Sequence, residues 1–198
     1  MNGARAELVA LKTRAAAQTL GNDNAGPSGA IFGAALDGTV STPKLDLLVQ
    51  RPRVGVGCVL LSAQHAGKLL IGERKGSHGA GKWALPGGHL EQGQSFEQCA
   101  RMEVKEECDI DVEESSWSLL WVSNDPMPSE DLHYVTIFQV AKITEEQTSA
   151  IRNMEEDKCV GWQWVPYSEL KSLQVFIPLQ NFIERGGLDK AFLLQKEQ

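Results

Sequence analysis

Segment 86–107 constrains the fold more than any other part of this 198-residue chain. It opens with the turn Gly87-Gly88. Ser95 and Gln98 then have the spacing of a capping box, in which two side chains satisfy backbone N–H groups at the start of a helix. Glu97 falls in the first turn, where the helix dipole favours a negative charge. The sequence therefore predicts a glycine turn followed by a well-marked helix.

One face of this predicted helix combines apolar side chains with carboxylates. Phe96 begins a series of residues that recur at spacings of three and four and so share one stripe, at about 100° per residue. The series is Phe96, Cys99, Ala100, Glu103 and Glu107. Glu106 lies beside that stripe. The opposite side carries Gln98, Arg101 and Lys105. The carboxylates therefore extend the inward-facing stripe.

Converging carboxylates on such a face predict a metal site. Three glutamates in isolation are usually a solvated face, but these share theirs with Phe96 and Ala100. Like charges on a partly buried face have raised pKa values or cost several kcal/mol unless they are neutralised. Oxygen ligands with room for water and phosphate describe Mg²⁺ or Mn²⁺. The Gly87-Gly88 turn can adopt unusual backbone conformations and offer a carbonyl oxygen to such a cation.

Composition excludes several classes of protein. The net charge of -7 argues against nucleic-acid binding through a basic surface. No apolar run approaches the roughly 20 residues that cross a bilayer, and the start lacks a secretory pattern. The four cysteines contain no CxxC pair, so neither a zinc site nor a disulfide framework is indicated. Reduced thiols favour a cytoplasmic protein, with a targeting segment that is removed, such as a transit peptide, as the alternative.

The chain divides into an extension and one catalytic domain. Residues 1–50 are predicted to be a partly flexible extension, with a helix over 4–20, a Gly/Asn/Pro/Ser joint over 21–29 and short strands at 31–36 and 45–49. The domain spans residues 51–198. Its predicted strands are 54–61, 68–73, 117–123, 134–142 and 160–165, the first two forming a hairpin or adjacent pair. Short helices are predicted at 168–173 and 179–184, after a polar connection at 143–158. This mixture predicts an α/β or α+β sandwich.

From Gly88 onward the sequence resembles the Nudix hydrolase family. The family box reads Gly, five residues, Glu, seven residues, Arg-Glu-apolar, one residue, Glu-Glu, one residue, Gly-apolar. The matching residues are Gly88, Glu103, Val104, Glu106, Glu107 and Ile110, and the departures are Gln94, Met102 and Asp109. Segments 72–76, 85–91, 133–136, 153–159 and 162–164 are similar to the nucleotide-cleaning branch related to MutT, which includes human and plant cytosolic enzymes. The resemblance covers roughly residues 53–175.

The resemblance implies an α/β/α sandwich with a mixed sheet and a central catalytic helix. It implies that the Gly87 carbonyl, Glu103 and Glu107 bind Mg²⁺ or Mn²⁺. Glu106 would assist them, through a second ion or by helping to activate water, and the identity of the general base stays open. Glu155 is a further candidate metal ligand, with simple solvation of its loop as the alternative.

The same resemblance implies a set of substrate-binding residues. Arg74 would contact phosphates, unless it is a solvated surface arginine. Gly88 would lie against the substrate, and Thr136 with the loop before Trp164 would line a base pocket that also includes Ala84. Trp164 and its strand neighbour Trp162 have plain core packing as their alternative.

The activity implied is hydrolysis of nucleoside or deoxynucleoside triphosphates, including oxidised guanine nucleotides, to nucleoside monophosphate and pyrophosphate. Two alternatives remain open. One is hydrolysis of another pyrophosphate: a capped RNA end, a nucleoside diphosphate linked to a sugar or cofactor, or a prenyl diphosphate. The other is a weakly active binding or regulatory module, which the departures from the box favour and the intact glutamates oppose. A homodimer is a candidate assembly.

The departures predict specific local structure. Gln94 removes a family carboxylate and Met102 removes a family guanidinium, so the two losses cancel in charge. We hypothesise that a neutral contact replaces an ion pair, an exchange that costs little when both partners change. Asp109 replaces a glycine that ends the helix, and Asp tolerates the left-handed conformation required there.

Overall fold

The computed structural model describes residues 51–76 and 78–196. The helix and strands predicted within residues 1–50 lie outside the described residues. The strands are β1 (Arg53–Ser62), β2 (Lys68–Arg74), β3 (Trp83–Ala84), β4 (Gly87–His89), β5 (Ser118–Met127), β6 (Leu132–Ile143) and β7 (Cys159–Pro166). The α-helices are α1 (Phe96–Cys108), α2 (Glu145–Ala150), α3 (Ile177–Glu184) and α4 (Gly187–Lys196).

The strands form two sheets. The first is four-stranded and mixed, in the order β4-β1-β6-β5, with β1 and β6 parallel from the pair Arg53↔Tyr134 to the pair Ser62↔Ile143. The second is three-stranded and antiparallel, in the order β3-β2-β7. A parallel pair in the middle of the first sheet requires both faces of β1 to be covered, and its burial pattern agrees.

Two hydrophobic clusters cover the two faces of the sheets. On one face, Val56 and Cys58 of β1 pack with Ala100 and Val104 of α1. On the other face, Val59 of β1 packs with residues of α3 and α4, including Phe182. Alternating residues of β1 therefore belong to different clusters, as the period of a strand requires. The result is the predicted α/β/α sandwich with a mixed sheet and a central helix.

The predicted pairing of the first two strands is wrong. β1 pairs with β4 and β6, whereas β2 pairs with β3 and β7 in the other sheet. The connection between them contains a 3-10 turn, Ala63–His65. Gln195 of α4 holds this connection, because its side chain donates to the carbonyls of Ser62 and His65 and accepts from the N–H of Gly67. That long-range clamp takes the place of a hairpin turn.

Helix α1 begins and ends as predicted. Ser95 is the N-cap, and its hydroxyl accepts from the Gln98 N–H while the Gln98 side chain accepts from the Ser95 N–H. Asp109 is the C-cap in the left-handed conformation, at φ 59° and ψ 22°. The helix therefore starts seven residues after the glycine turn that precedes it, at a fixed register.

Two helices were missed from the sequence. Helix α2 lies in the connection that was predicted to be only polar, although Thr144 and Gln147 form a second capping box that could have revealed it. Helix α4 follows α3 after Arg185 and Gly186 and packs against it. None of the helices among the described residues is long and apolar enough to cross a membrane.

Candidate active site

A cavity of about 600 Å³ lies where the glycine turn, helix α1 and the first sheet meet. Eight of the residues singled out from the sequence line it: Arg74, Gly87, Gly88, Glu103, Glu106, Glu107, Thr136 and Glu155. Ala84, which was expected in the same pocket, also lines it. Positions from five separate segments of the chain are therefore brought together by the fold.

The turn at Gly87-Gly88 requires both glycines. Gly87 has φ 144°, and a Cβ there would collide with the carbonyl oxygen of Val56. A Cβ at Gly88 would overlap the carboxylate of Glu103. The lack of side chains at both positions lets the carboxylates of α1 approach the backbone of the turn.

The backbone of Gly87 is directed toward the carboxylates. Two backbone groups that flank β4 bond to β1: the Pro86 carbonyl accepts from the Cys58 N–H, and the Leu90 N–H donates to the Val54 carbonyl. Because an antiparallel strand alternates the direction of its backbone groups, the N–H and carbonyl of Gly87 point away from β1. The N–H donates to Glu107 Oε2 at 2.9 Å. The Gly87 carbonyl is therefore on the correct side to share a cation with the Glu107 carboxylate.

Burial and mutual repulsion act on the two inward glutamates. Burial, together with the negative charges of Glu103 and Glu155, raises the pKa of Glu107 to about 8, against the lowering effects of the Gly87 N–H and of Arg74. Burial, followed by the charge of Glu106, raises the pKa of Glu103 to about 7. Both carboxyl groups thus lie in surroundings that disfavour their charged forms until a cation arrives.

Two further carboxylates border this pair. Glu106 is exposed at the edge of the cavity. Glu155 is half-buried and accepts from Lys158 Nζ at 2.7 Å. Glu155 lines the same cavity as Glu103 and Glu107, and Lys158 neutralises it in part.

The donor set fits an open Mg²⁺ or Mn²⁺ site, which water and substrate phosphates complete, better than a site enclosed by protein ligands alone. Within residues 51–76 and 78–196, no three His, Cys, Asp or Glu side chains converge closely enough to enclose a cation. Mg²⁺ keeps several waters and is commonly bound through one or two carboxylates plus substrate phosphates. Glu103, Glu107 and the Gly87 carbonyl match that open kind of site.

The end of α1 that carries Glu107 is tied to strand β7. Trp162 Nε1 donates to the Glu107 carbonyl at 3.0 Å, and the N–H of Met154 donates to the same oxygen at 3.2 Å. The ring of Trp162 fits because its cross-strand partner is Gly72, where a Cβ would collide with the ring. Trp162 therefore lines the cavity and fixes the backbone of a candidate metal ligand.

Arg74 is held at the cavity by an aromatic ring. Its guanidinium lies 4.7 Å from the centroid of the Phe176 ring, and its Nε donates to the His78 carbonyl at 3.2 Å. Arg74 lines the same cavity as Glu103 and Glu107, and its charge opposes the rise in the pKa of Glu107. Stacking leaves the terminal N–H groups of an arginine free to bind phosphate oxygens.

Phe176, His78 and Tyr134 complete one wall of the cavity. The His78 ring packs edge-on against Phe176, and its Nδ1 contacts the carboxylate of Glu130. The Tyr134 hydroxyl lies 2.9 Å from His89 Nε2. These residues were not selected from the sequence, because isolated aromatic residues in loops and strands carry no spacing that distinguishes a binding wall from core.

Thr136 reaches the cavity with its hydroxyl already engaged. It donates to Asp125 Oδ2 at 2.5 Å, and Asp125 is fully buried on the neighbouring strand β5. Ser123 donates to the same oxygen at 2.7 Å, and Asn181 of α3 donates to Oδ1 at 2.7 Å. Asp125 was missed from the sequence, since an isolated aspartate near a strand end resembles a turn residue.

Trp164 does not lie where it was expected. It is absent from the cavity lining, and its ring stacks on His65 with centroids 4.6 Å apart. It also packs against the hydrophobic cluster beneath α1. Trp162 and Trp164 both pack against this cluster, and of the two only Trp162 also lines the cavity.

The structure contains the hypothesised contact between the two departures from the box. Gln94 Nε2 donates to Met102 Sδ at 3.4 Å. Gln94 Oε1 also accepts from the N–H of Glu91 at 3.0 Å. A neutral amide and a thioether thus occupy the positions of a carboxylate and a guanidinium, and they join the loop before α1 to the turn that carries Glu103.

Comparisons with known proteins agree with this geometry. The model of the NUDIX domain matches residues 51–185. The chain is 26% identical to a MutT NUDIX hydrolase from Burkholderia pseudomallei, over 71% of this chain and 98% of that one, with a TM-score of 0.56.

More distant structures share the fold. A MutT protein from Methanosarcina mazei is 18% identical, over 72% of this chain and 96% of that one, with a TM-score of 0.58. The NUDIX domain of Shewanella oneidensis NrtR, solved with ADP ribose, is 16% identical over 74% of this chain and 92% of that one, with a TM-score of 0.54.

Proposed function

The chain belongs to the NUDIX domain family, and on that premise we propose that it is a metal-dependent pyrophosphohydrolase of nucleoside or deoxynucleoside triphosphates. Its proposed products are a nucleoside monophosphate and pyrophosphate. Oxidised guanine nucleotides are among the proposed substrates, as for the MutT-related branch that the sequence resembles.

One observation carries the proposal. Glu103 and Glu107 lie half-buried in a cavity, beside the backbone of Gly87, with pKa values raised to about 7 and about 8. A plain structural role would leave these carboxylates paired with cations or donors of the protein. The Gly87 N–H is the donor to Glu107 that the structure gives, so a divalent cation is the natural counter-charge.

A bound divalent cation would lower the pKa of a coordinated water and offset the charge on phosphate oxygens. Glu103, Glu107 and the Gly87 carbonyl would hold it, while exposed Glu106 would contact a second ion or take the proton from the attacking water. Attack of the water at the α- or the β-phosphorus breaks the anhydride P–O bond between them. The electron pair leaves with the pyrophosphate in the first case and with the nucleoside monophosphate in the second. Trp162 would keep the Glu107 backbone in place through its hydrogen bond.

The rest of the cavity suits a nucleotide. Its volume of about 600 Å³ lies within the usual range for small-molecule sites, roughly 300–1,000 Å³. Arg74, pinned on Phe176, would bind phosphate oxygens near the metal. Thr136 and Tyr134 lie on the β6 side of the cavity, where a base would be seated.

A hydrolysis panel tests the proposal. The full chain is incubated with nucleoside triphosphates including 8-oxo-dGTP, a nucleoside diphosphate sugar, a prenyl diphosphate and capped RNA, with Mg²⁺ or Mn²⁺, and products are resolved by chromatography. Monophosphate and pyrophosphate from the triphosphates are expected, with loss of turnover in Glu107→Gln. Glu97→Gln is the matched control, because it makes the same change on the same helix outside the cavity. Turnover confined to another compound would overturn the proposed substrate class. No turnover of any compound would overturn the proposal that the chain is a pyrophosphohydrolase.

A further inference from the structure

The fully buried carboxylate of Asp125 accepts hydrogen bonds from Ser123, Thr136 and Asn181, each at 2.7 Å or less. Three strands or helices supply these groups: β5, β6 and α3. A buried carboxylate without a cation needs such donors to offset its lost hydration. Asp125 thus forms a hub behind the wall of the cavity.

The hub determines which way the Thr136 hydroxyl points. A carboxylate has no proton to donate, so the proton of the Thr136 hydroxyl is directed at Asp125 Oδ2. The oxygen of that hydroxyl then has lone pairs left and no proton. Thr136, which lines the cavity, can therefore only accept a hydrogen bond from a ligand.

Two glycines of β1 leave the space beside Thr136 open. Gly55 is directly paired with Thr136, and Gly57 with Phe138, so all four positions share one face of the sheet. A Cβ built at Gly55 would lie 3.9 Å from Thr136 Oγ1 and 3.7 Å from Tyr134. It would occupy that space without a clash. The absence of a side chain gives a flat seat next to an acceptor, which suits the edge of a planar ring.

We propose that Asp125 is a positioning residue that holds Thr136 as a hydrogen-bond acceptor, so that the cavity selects nucleotides whose base presents an N–H to it. This inference rests on the proposed function and narrows its substrate class. Guanine and hypoxanthine carry such ring N–H groups, whereas unsubstituted purine carries none on its base. Asp125 itself does not line the cavity and acts through Thr136.

The hub also holds the opposite wall. Asn181 lies on α3, and the same helix supplies Pro178 and Leu179 to the cavity lining. One carboxylate therefore connects the acceptor on β6 with the helix that faces it. A change of charge at Asp125 would alter the polarity of the seat while its shape is kept.

The test compares kcat/KM for inosine triphosphate with that for purine riboside triphosphate in the full chain with Mg²⁺. The ratio of the two values is expected to fall about tenfold in Thr136→Val, which loses the acceptor but keeps the branched shape. Thr136→Ser retains the hydroxyl and is expected to restore the ratio. Asp125→Asn places an amide N–H₂ beside the hydroxyl, which then turns outward as a donor, so the ratio is expected to fall at least as far.

Ser123→Ala is the matched control. It removes another donor to the same Asp125 oxygen but leaves Thr136 bonded, so the ratio is expected to stay at the wild-type value. A ratio that stays constant in Thr136→Val and Asp125→Asn, with equal losses for both compounds, would assign the hub a structural role only. An equal fall in Ser123→Ala would also overturn the inference. A wild type that hydrolyses neither compound would overturn the proposed function together with it.

Discussion

One buried carboxylate, that of Asp125, and one half-buried pair, Glu103 and Glu107, lie near the same cavity in opposite surroundings. Asp125 is fully buried and accepts from three neutral donors. Glu103 and Glu107 are half-buried and face each other's charge, with the Gly87 N–H as a donor to Glu107. The protein supplies the hydrogen-bond donors that Asp125 needs, whereas the pKa values of Glu103 and Glu107 are raised.

The difference shows how one residue type serves two purposes. A carboxylate surrounded by hydroxyl and amide donors is a fixed structural acceptor, and its removal leaves those donors without partners. Carboxylates that repel one another are stabilised in their ionised forms when a cation binds between them. Substitution in the glutamate pair should therefore lower activity without lowering metal-free stability, whereas removal of the Asp125 carboxylate should lower stability.

The largest expected effect is on activity at the glutamate pair. Loss of a group that only orients a metal ligand typically costs about 10-fold to 100-fold, so Glu107→Gln, which removes a ligand, should lower kcat about 100-fold or more. Without metal and above pH 8, where both carboxyl groups of the wild type are ionised, its thermal stability should equal or exceed that of the wild type, because a repelling charge is gone. Steady-state kinetics and thermal melts in a chelator check both parts. If Glu107→Gln lost metal-free stability as well as activity, Glu107 would be a structural residue like Asp125, and the contrast between the two sites would be wrong.

Asp125 should show the converse. Asp125→Ala leaves the buried hydroxyls of Ser123 and Thr136 and the half-buried amide of Asn181 without their acceptor. Each buried donor costs about 1–3 kcal/mol, so the free energy of unfolding should fall by about 2 kcal/mol or more. Asp125→Asn keeps the shape and part of the bonding and should lose less. Denaturant titration measures both values, and an alanine variant as stable as the wild type would contradict the description of Asp125 as a satisfied acceptor.

Metal should stabilise only through the glutamates. At about 100 times its dissociation constant, a cation that binds the folded chain alone adds about 2.7 kcal/mol. We expect Mg²⁺ to raise the melting temperature of the wild type and to leave Glu103→Gln/Glu107→Gln unchanged. Equal stabilisation of both proteins would place the cation elsewhere.

The glutamates should also give the metal-free protein a distinctive pH dependence. The ordinary pKa of 4.5 rises to about 7 for Glu103 and to about 8 for Glu107 in the folded state. The folded state then binds more protons than the unfolded state between these values, so this stabilisation is complete below pH 4.5 and is lost as pH rises through 8. Melting curves in a chelator should fall with pH in the wild type relative to Glu103→Gln/Glu107→Gln. Parallel curves would show that the pair does not titrate in this range.

The smallest expected effect concerns the neutral contact between Gln94 and Met102. Gln94→Glu adds a charge without a partner near Glu103, and Met102→Arg adds a cation without its carboxylate. We expect each single variant to be less active than Gln94→Glu/Met102→Arg, in which the two new charges meet. A double variant no more active than the worse single variant would refute the coupling.

Local signals in the sequence predicted the site better than they predicted the pairing of strands. The capping box at Ser95, the stripe through Glu103 and Glu107 and the left-handed Asp109 are all properties of contiguous residues, and the structure confirms them. Periodicity places a side chain on a face and a glycine in a turn. It therefore suffices for a helix that carries several functional residues.

The errors arose where distant segments decide the outcome. Periodicity predicted β1 and β2 but not their separation into two sheets, which a clamp from Gln195 at the far end of the chain maintains. It placed Trp162 and Trp164 on one face but could not tell where along β7 the cavity ends. Asp125 accepts from its near neighbour Ser123, but its connection to the cavity comes from Thr136 and Asn181, which lie on other elements of the fold.

Mn²⁺ binding followed by electron paramagnetic resonance tests directly whether Glu103 and Glu107 form a divalent-cation site. The free Mn²⁺ signal is measured while the full chain is titrated, in the absence of nucleotide, with the wild type and Glu103→Gln/Glu107→Gln. We expect saturable loss of the free Mn²⁺ signal with the wild type, competed by Mg²⁺, and little loss with the double variant. Equal binding by both proteins would contradict this expectation.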